Sequence, residues 1–376
     1  MVIGVTGTSG KSTTVDFIAR ILEEAGQKVA SMSSVRFKIG DREWKNELKM
    51  TMPGRFKIQK FFKQAIQSKC KYAVLEVTSE GIKQFRHKFI DFNTAVFTNL
   101  SPEHIESHGG FENYRNEKLK LFKATKNLHI INADDENADY FAKIRASKKY
   151  YFGVKSKKAD LIAEHVVSKY DGMGFVVNGT QFKLDLMGEF NVYNALAAIS
   201  VGLTQGISLE VCKKALEKIS NIPGRMDIVA KEPFLAIVDY AHTPEQLEQV
   251  YKSLSLKPLI CVLGSCGGGR DTWKRPVLGK VASQYCKEII ITNEDPYDED
   301  PLEIMEQIAS GINSEVTPNS YHIVLDRKEA IKKAVSMAKP GDALIITGKG
   351  SEIWMCLAGG IKIPWSDKEI VKELLR

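Results

Sequence analysis

The chemistry-bearing residues begin almost at once. Gly7-Thr-Ser-Gly-Lys-Ser-Thr13 follows a short apolar run at 2–5 and precedes a stretch with helical apolar spacing. A buried strand that delivers a glycine-bearing turn to a helix start aims backbone N–H groups at one point, where the helix dipole adds positive potential. Gly7 and Gly10 let the backbone come close to a phosphate, with Thr8, Ser9 and Thr13 completing the turn. Lys11 has the reach for terminal phosphates, and the Ser12 hydroxyl stands where a loop of this kind holds Mg²⁺. The strict pattern G-x-x-x-x-G-K-[ST] is not met, because Val5 stands where its first glycine would be. The loop is therefore a variant, and a plain glycine-rich turn with an exposed lysine is the blander alternative.

Other candidates lie at the ends of strand-like runs. Glu76 interrupts the apolar run 72–77, where a carboxylate is costly unless it is exposed at the strand's carboxyl edge, the place where α/β sheets bind ligands. That makes it a candidate for Mg²⁺ or for a water bound to it. The run 94–98 leads into a polar cluster at 99–108 containing His104, for which a metal or phosphate role is expected. Lys118 sits with Lys120 beside the apolar seam of a helix at 112–122, and periodicity alone does not single it out. Later, four runs at 235–238, 259–263, 288–292 and 343–347 each end in polar residues. These are Asp239-Tyr-Ala-His242, the glycine-rich 264–271, Asn293-Glu-Asp-Pro296 and Gly348-Lys-Gly-Ser-Glu352. Loops at the carboxyl ends of successive parallel strands share one crevice, so the four groups should face a common ligand.

The elements that must position these groups follow an α/β rhythm. Val15, Phe17, Ile18, Ile21 and Leu22 recur at helical spacing, and Gly26 stands where that helix would stop. Residues 28–57 read as a strand and an irregular connection ending in Met50-Thr-Met-Pro-Gly-Arg55, which includes Thr51. Strands are expected at 128–132 and 150–154. Between 159 and 186 the texture alternates, with turn signals at Asp171-Gly172 and Asn178-Gly179, which indicates a small antiparallel excursion. Helices follow at 191–198 and 209–219, and Asn221-Ile-Pro-Gly-Arg225 is the best domain boundary. The fold class expected is α/β: a mostly parallel P-loop-type sheet domain over 1–222, then a Rossmann-like α/β domain over 223–376.

Composition sets the bounds. With 376 residues, 43% hydrophobic and 26% charged, the chain suits a multidomain globular enzyme. It has no apolar run near the roughly 18 residues of a membrane span, and Met1 runs straight into the first strand without a leader, so a cytoplasmic protein is expected; a monomer is expected as well. Lys+Arg of 53 against Asp+Glu of 46 gives +7, read as solubility plus attraction for phosphate-bearing substrates and not as a nucleic-acid surface. Six cysteines without C-x-x-C spacing imply neither zinc nor disulfides.

Taken as an ordered set, Gly7 to Thr13, Glu76-Val-Thr-Ser79, Thr98-Asn-Leu-Ser101 with His104, Asn191-Val-Tyr-Asn194, Pro223-Gly-Arg-Met226, Asp239 to Pro244 and Gly348-Lys-Gly350 resemble the Mur ligase family, in particular its tripeptide-synthetase branch. The resemblance implies an ATP-dependent carboxylate–amine ligase that works through an acyl phosphate on a muramyl-peptide-type acceptor in peptidoglycan precursor synthesis. Carried over residue by residue, it gives Lys11 the β- and γ-phosphates, and Ser12, Glu76 and His104 the Mg²⁺ ions. Lys118, in Tyr114-Arg-Asn-Glu-Lys118, matches the lysine that this family carbamylates. Asn191 and Asn194 match adenine-side asparagines, Arg225 a phosphate-side arginine and Asp239 a ribose-binding acid, with His242 in the same cleft. Substrate-side matches are Thr51, Thr78, Ser79, Arg270, Asp271, Lys274, Arg275, Asn293, Glu294, Asp295, Gly348 and Glu352.

Departures from the family pattern shift two expectations. Members usually carry a further domain that grips the uridine nucleotide, so a shortened site or a separate nucleotide-sugar-binding protein is expected here. The Asp-Asn-Pro-Arg motif of diaminopimelate-adding members stands as Glu294-Asp-Pro-Tyr297, without the guanidinium that would pair bidentately with an amino-acid carboxylate. The alternatives are a relative acting on another carboxylate, such as folylpolyglutamate synthase or a cyanophycin-synthetase-like ligase, and a nucleotide-binding regulatory protein without ligase chemistry.

Overall fold

The computed structural model describes residues 1–48, 50–169, 172–312 and 320–376. The chain divides into two compact units, Met1–Glu103 with His108–Ser220, and His104–Ser107 with Asn221–Arg376.

In the first unit the chain-opening strand β1 (Val2–Thr6) lies mid-sheet, because its apolar residues need cover on both faces. The other strands are β2 (Val29–Met32), β3 (Arg36–Ile39), β4 (Arg42–Lys45), β5 (Tyr72–Glu76), β6 (Thr94–Phe97), β7 (Leu128–Asn132), β8 (Lys148–Gly153) and β9 (Leu161–Ile162), in the order β4-β3-β2-β5-β1-β6-β7-β8-β9. All pairings from β2 through β5, β1 and β6 to β9 are parallel; β3 and β4 add an antiparallel margin. That margin replaces the irregular connection expected at 28–57. The tight turn at Gly40, with φ 57°, folds the chain back there, and β4 is so charged that its pattern does not announce a strand.

The helix Lys11–Glu24 covers the sheet with Val15, Phe17, Ile18, Ile21 and Leu22, all buried. Burial of five such side chains is worth roughly 8–15 kcal/mol as an upper figure. It also fixes the end of the helix that carries the loop. Strands β10 (Glu164–Lys169), β11 (Gly172–Val177) and β12 (Thr180–Leu184) form the antiparallel excursion, with Asn178 and Gly179 both at positive φ in the β11–β12 turn. Asp171 of the other expected turn lies outside the described residues.

The second unit is built on β13 (Asp227–Ala230), β14 (Leu235–Val238), β15 (Leu259–Leu263), β16 (Cys286–Thr292), β17 (Ser320–Val324) and β18 (Ala343–Ile346), ordered β13-β14-β18-β15-β16-β17. Only β13 runs antiparallel. The four strands legible in sequence are thus the contiguous centre, and their polar ends share one edge. Behind them, Arg327 and Asp367 form a fully buried ion pair: Nε and Nη2 donate to the carboxylate at 2.9 and 2.8 Å, and Nη2 also reaches the Thr347 carbonyl. The Trp365 indole donates to the same carboxylate at 2.8 Å. Among the described residues all six cysteines are free.

Removing one partner of a buried pair strands the other charge, so Arg327→Leu should destabilise the second unit by about 3–5 kcal/mol. Adding Asp367→Asn, which removes that charge and keeps an acceptor for Trp365, should recover about 1 kcal/mol or more. Denaturant titration followed by tryptophan emission measures both; equal stability of wild type and Arg327→Leu would show that the pair contributes nothing.

Candidate functional site

Strand register assembles the first cluster. Val5 pairs with Glu76 on one side of β1, and Thr6 with Phe97 on the other. The loop from Gly7 therefore emerges between the carboxyl ends of β5 and β6. There it is clamped: Thr8 N–H donates to the Asn99 carbonyl at 2.9 Å, Ser9 N–H to Asn99 Oδ1 at 2.8 Å, and Thr98 Oγ1 to the Ser9 carbonyl at 2.7 Å. The glycines are required. A Cβ on Gly7, at φ 151°, would stand 2.0 Å from Thr98 Oγ1, and one on Gly10, at φ 77°, 2.1 Å from Asn194 Oδ1.

Glu76 is buried, not exposed at the strand edge as its position in the run suggests. Its desolvation is compensated by donors converging on one oxygen: Ser12 Oγ at 2.8 Å, Ser34 N–H at 2.9 Å and Ser34 Oγ at 3.3 Å. Ser34 was not singled out by sequence, although a polar residue just past the carboxyl end of β2 is the kind of signal that found Glu76. A carboxylate oxygen and a hydroxyl oxygen side by side suit a hard divalent cation.

Lys118 is buried, 1% exposed, whereas Lys120 on the same helix faces solvent and pairs with Glu117. Its Nζ donates to the Gly7 carbonyl at 2.7 Å and lies 4.5 Å from the Tyr114 ring centroid. Burial pushes its ammonium well below a lysine's usual value and the charge of Lys11 pushes the same way, opposed by Glu103 and Glu76. Lys11 donates to the Thr8 carbonyl at 2.6 Å. Tyr114 and Glu103, to which the sequence reading gave no site role, complete the cluster, with the Tyr114 hydroxyl 3.0 Å from Thr8 Oγ1 and donating to Glu103 at 3.3 Å. Asn191 and Asn194 are buried on the helix Phe190–Thr204, where Asn194 donates to Asn191 Oδ1 at 3.0 Å and accepts from Thr14 at 3.3 Å. Thr13 is buried in the first turn of the loop's helix. Thr78 caps the short helix Ser79–Lys83 by accepting from Gly81 N–H, Ser79 is buried, and Thr51 is half-buried on the preceding loop.

His104 belongs to the second unit, not to the one holding Ser12, Glu76 and Lys118. It stands at φ 56°, with Nδ1 3.5 Å from Arg270 Nη1. Beside it the Asp271 carboxylate accepts from Ile105 N–H at 3.1 Å and Glu106 N–H at 3.0 Å, while the Glu106 carboxylate accepts from Thr272 N–H at 2.8 Å.

At the carboxyl edge of the second sheet, the Arg225 guanidinium lies 4.3 Å from the Tyr240 ring centroid. Asp239 accepts from Met226 and Ala241 N–H groups, both at 2.6 Å. Burial raises its carboxyl above the usual range, against the pull of Arg225 and those donors. His242 Nδ1 is 2.8 Å from the Tyr240 carbonyl, and Lys274 donates to the His242 carbonyl at 2.9 Å. Arg275 is tied to Gln307 and Glu299, and the Asn293 carbonyl accepts from Arg327. Lys349, which the sequence reading passed over, is the hub of this edge. Its buried Nζ donates to Asp295 at 2.7 and 2.8 Å, Glu352 at 2.8 Å and the Trp354 carbonyl at 2.6 Å. Glu294 is buried against Gly348, and burial raises its carboxyl.

A strand, a glycine-bearing loop and a helix start on a parallel sheet, with a second α/β unit carrying charged strand ends, is an arrangement common to nucleotide-using α/β proteins. Residues 5–202 match the Mur ligase middle domain and residues 224–350 the Mur ligase glutamate ligase domain. The UDP-N-acetylmuramoyl-L-alanyl-D-glutamate–2,6-diaminopimelate ligase of Syntrophomonas wolfei is 39% identical, over 100% of this chain and 78% of its own length. The UDP-N-acetylmuramyl-tripeptide synthetase of a Roseiflexus species is 36% identical over the same shares. A solved 2,6-diaminopimelate ligase superposes with TM-score 0.65 at 30% identity, over 100% of this chain and 78% of that one. A folylpolyglutamate synthase of Mycobacterium tuberculosis solved with ADP gives 0.72 at 16% identity, over 92% and 87%, a likeness of fold alone. The chain belongs to the Mur ligase family, ATP-dependent ligases that form amide bonds in peptidoglycan precursor synthesis.

Gly10→Ala should weaken Mg-ADP binding about tenfold or more, because the added Cβ overlaps the Asn194 amide at a left-handed backbone position costing about 1–2 kcal/mol by itself. Gly26→Ala, also at positive φ but in open space, is the control for backbone strain alone. Calorimetric titration of the two variants separates the effects, and equal affinities would remove the requirement for glycine at the cradle.

Proposed function

We propose that this chain joins the carboxylate of a muramyl-peptide-type acceptor to the amino group of an amino acid, at the expense of ATP. The observation that carries the reading is the convergence of Lys11, Ser12, Glu76 and Lys118 on one loop in the first unit. In the first step an acceptor carboxylate oxygen attacks the γ-phosphorus of ATP; the bond to the bridging oxygen breaks and ADP leaves. In the second, the amine attacks the acyl carbon of the resulting acyl phosphate, phosphate departs with the C–O electron pair, and the nitrogen sheds a proton.

The residues divide this work by position. Lys11 and the N–H groups of residues 7–13 other than those of Thr8 and Ser9, which donate to Asn99, bind and orient the phosphates, whose transfer depends mainly on alignment and charge neutralisation. Ser12 and Glu76 supply oxygen ligands for Mg²⁺, with His104 assigned to the same role; the ion contributes neutralisation of phosphate charge. Asn191 and Asn194 are assigned to the adenine side, Arg225 to phosphate, and Asp239 and His242 to the ribose side. Thr51, Thr78 and Ser79 are assigned to the acceptor. Arg270, Asp271, Lys274, Asn293, Glu294, Asp295, Gly348 and Glu352 are assigned to the activated acceptor and incoming amino acid. The first unit, with the stretch to residue 222, acts as the ATP-binding domain, and residues 223–376 as the second ligase domain. The setting is the cytoplasm, and among the described residues no helix is long and apolar enough to cross a membrane.

Lys118 is assigned as a carbamate. A lysine whose ammonium is destabilised by burial gives up its proton more readily than an exposed one, and the amine so freed can add to CO₂; an N–C bond forms, a second proton leaves and the side chain becomes an anion beside the metal ligands. That conversion also replaces two neighbouring cations, Lys11 and Lys118, with an oppositely charged pair.

Lys11→Ala should lower ligation by about a hundredfold or more, since one fixed cation at the transferring phosphoryl group is worth about 3 kcal/mol; activity within tenfold of wild type would overturn its assignment. Lys118→Ala should lose most activity and regain part of it with added short carboxylic acids. A fully active variant would leave Lys118 a buried structural lysine. Phosphate release across a panel of muramyl peptides, folates and free amino acids tests the acceptor: turnover only with folates would replace the peptidoglycan reading.

A further inference from the structure

Between residues 48 and 90 the chain carries ten Lys and Arg against two acids, an excess of eight where the whole chain carries +7. Neither acid faces outward freely. Glu76 is buried against Ser12, and Glu80 lies 3.5 Å from His108 Nδ1. The acid closest on a packed neighbour, Glu117, is paired with Lys120; Glu47 and Asp91 are exposed acids at the two margins. Arg55, Lys57, Lys60, Lys63, Lys83 and Lys88 are all exposed.

The same surface carries the most exposed aromatic rings of the described chain. Phe56 is 93% exposed, Phe89 85% and Phe85 55%, with Ile66 at 74%. The Phe89 loop is a neighbour of the helix that carries Phe56. On the helix Arg55–Gln67, Phe56 shares its outer face with Lys60 and Lys63 at i+4 and i+7. Gln59, beside that face, donates to the Phe89 carbonyl at 3.3 Å, which lays the 84–89 loop along the helix. Arg86 ties the loop to the Met52 carbonyl. Phe85 and Phe89 both sit at positive φ, 56° and 65°, in the loop that carries their exposed rings.

We propose that this face docks on the surface of an anionic lipid bilayer, with the helix Arg55–Gln67 lying in the interface plane. The charge selects an anionic partner, and the side chains select its kind. Phenylalanine and isoleucine have no polar handle for a wet protein interface, and they protrude as knobs, which suits entry into the headgroup–acyl boundary. The cations are mostly lysine, point charges that need no bidentate partner and suit a diffuse field of headgroup phosphates.

The test is co-sedimentation of the full chain with vesicles of phosphatidylethanolamine and phosphatidylglycerol, against vesicles of phosphatidylcholine alone. Partitioning should favour the anionic vesicles about tenfold or more and fall about tenfold or more on raising salt from low to high ionic strength. Phe56→Ser/Phe89→Ser should lose about tenfold or more of the binding, with far-ultraviolet circular dichroism and vesicle-free ligation unchanged. Lys57→Glu/Lys60→Glu/Lys63→Glu is the second variant and should lose it as well. Absence of vesicle binding, equal binding to both compositions, binding that survives either variant, or capture of single-stranded RNA in preference to vesicles would each overturn the proposal.

Discussion

The parallel pairing of β1 with both β5 and β6 is the constraint on which the first unit's site depends. A strand buried on both sides has side chains fitted to each face, and a slip of one residue would exchange them, so the register Val5 to Glu76 and Thr6 to Phe97 is held by the packing of the core. Because it is held, the chain has to leave the sheet at Gly7 with a carboxylate on one side and Thr98 and Asn99 on the other. The loop then has no freedom to choose its shape. The Thr8 and Ser9 N–H groups and the Ser9 carbonyl are bound to Thr98 and Asn99 at the neighbouring strand's end, and its two crowded positions admit only glycine.

That rigidity has an electrostatic consequence. Glu76, Lys118 and Glu103 are all buried, each costly alone, and each has a neutral hydrogen-bond partner: Ser12 for Glu76, the Gly7 carbonyl for Lys118 and the Tyr114 hydroxyl for Glu103. A lysine that donates to a backbone carbonyl retains its charge at the expense of solvation, which is why its ammonium is destabilised. The second unit solves the same problem differently: Lys349 and Arg327 are saturated by Asp295, Glu352 and Asp367, so its charged strand ends are fixed before any ligand arrives.

What was legible in the sequence follows from which signals are local. Val2 to Val5, Gly7, Gly10 and the apolar spacing through Leu22 announce a strand, a turn and a helix within a couple of dozen residues, and the ordered set of motifs was enough for the Mur ligase family. The hairpin strand β4 was missed because Arg-Glu-Trp-Lys carries no apolar alternation, its burial coming only on one side of a sheet margin. Glu76 was found, but its environment was not, since Ser12 and Ser34 meet it through contacts far apart in sequence. Lys118 and Lys120 are equivalent by periodicity, and only the tertiary packing of the helix Phe111–Ala124 sends one inward and the other into solvent. His104 was grouped with Ser12 and Glu76, but four residues from 104 to 107 join the other unit, a crossing that linear spacing does not show.

Chain-wide charge hid the remaining feature. A net +7 spread over 376 residues reads as unremarkable, and the averaging is what conceals residues 48–90, which hold more than that excess on their own. Solubility needs charges of both signs interspersed, and the rest of the chain meets that need, being near neutral once this stretch is set aside. A helix kept at Arg-Phe-Lys-Ile-Gln-Lys-Phe-Phe-Lys, with Phe56 outside and Ile58 and Phe61 inside, satisfies the core with one stripe and leaves a second apolar position facing water. Core packing accounts for Ile58 and Phe61. It does not account for Phe56, and a cationic rim around an exposed ring is a combination that neither folding nor solubility calls for.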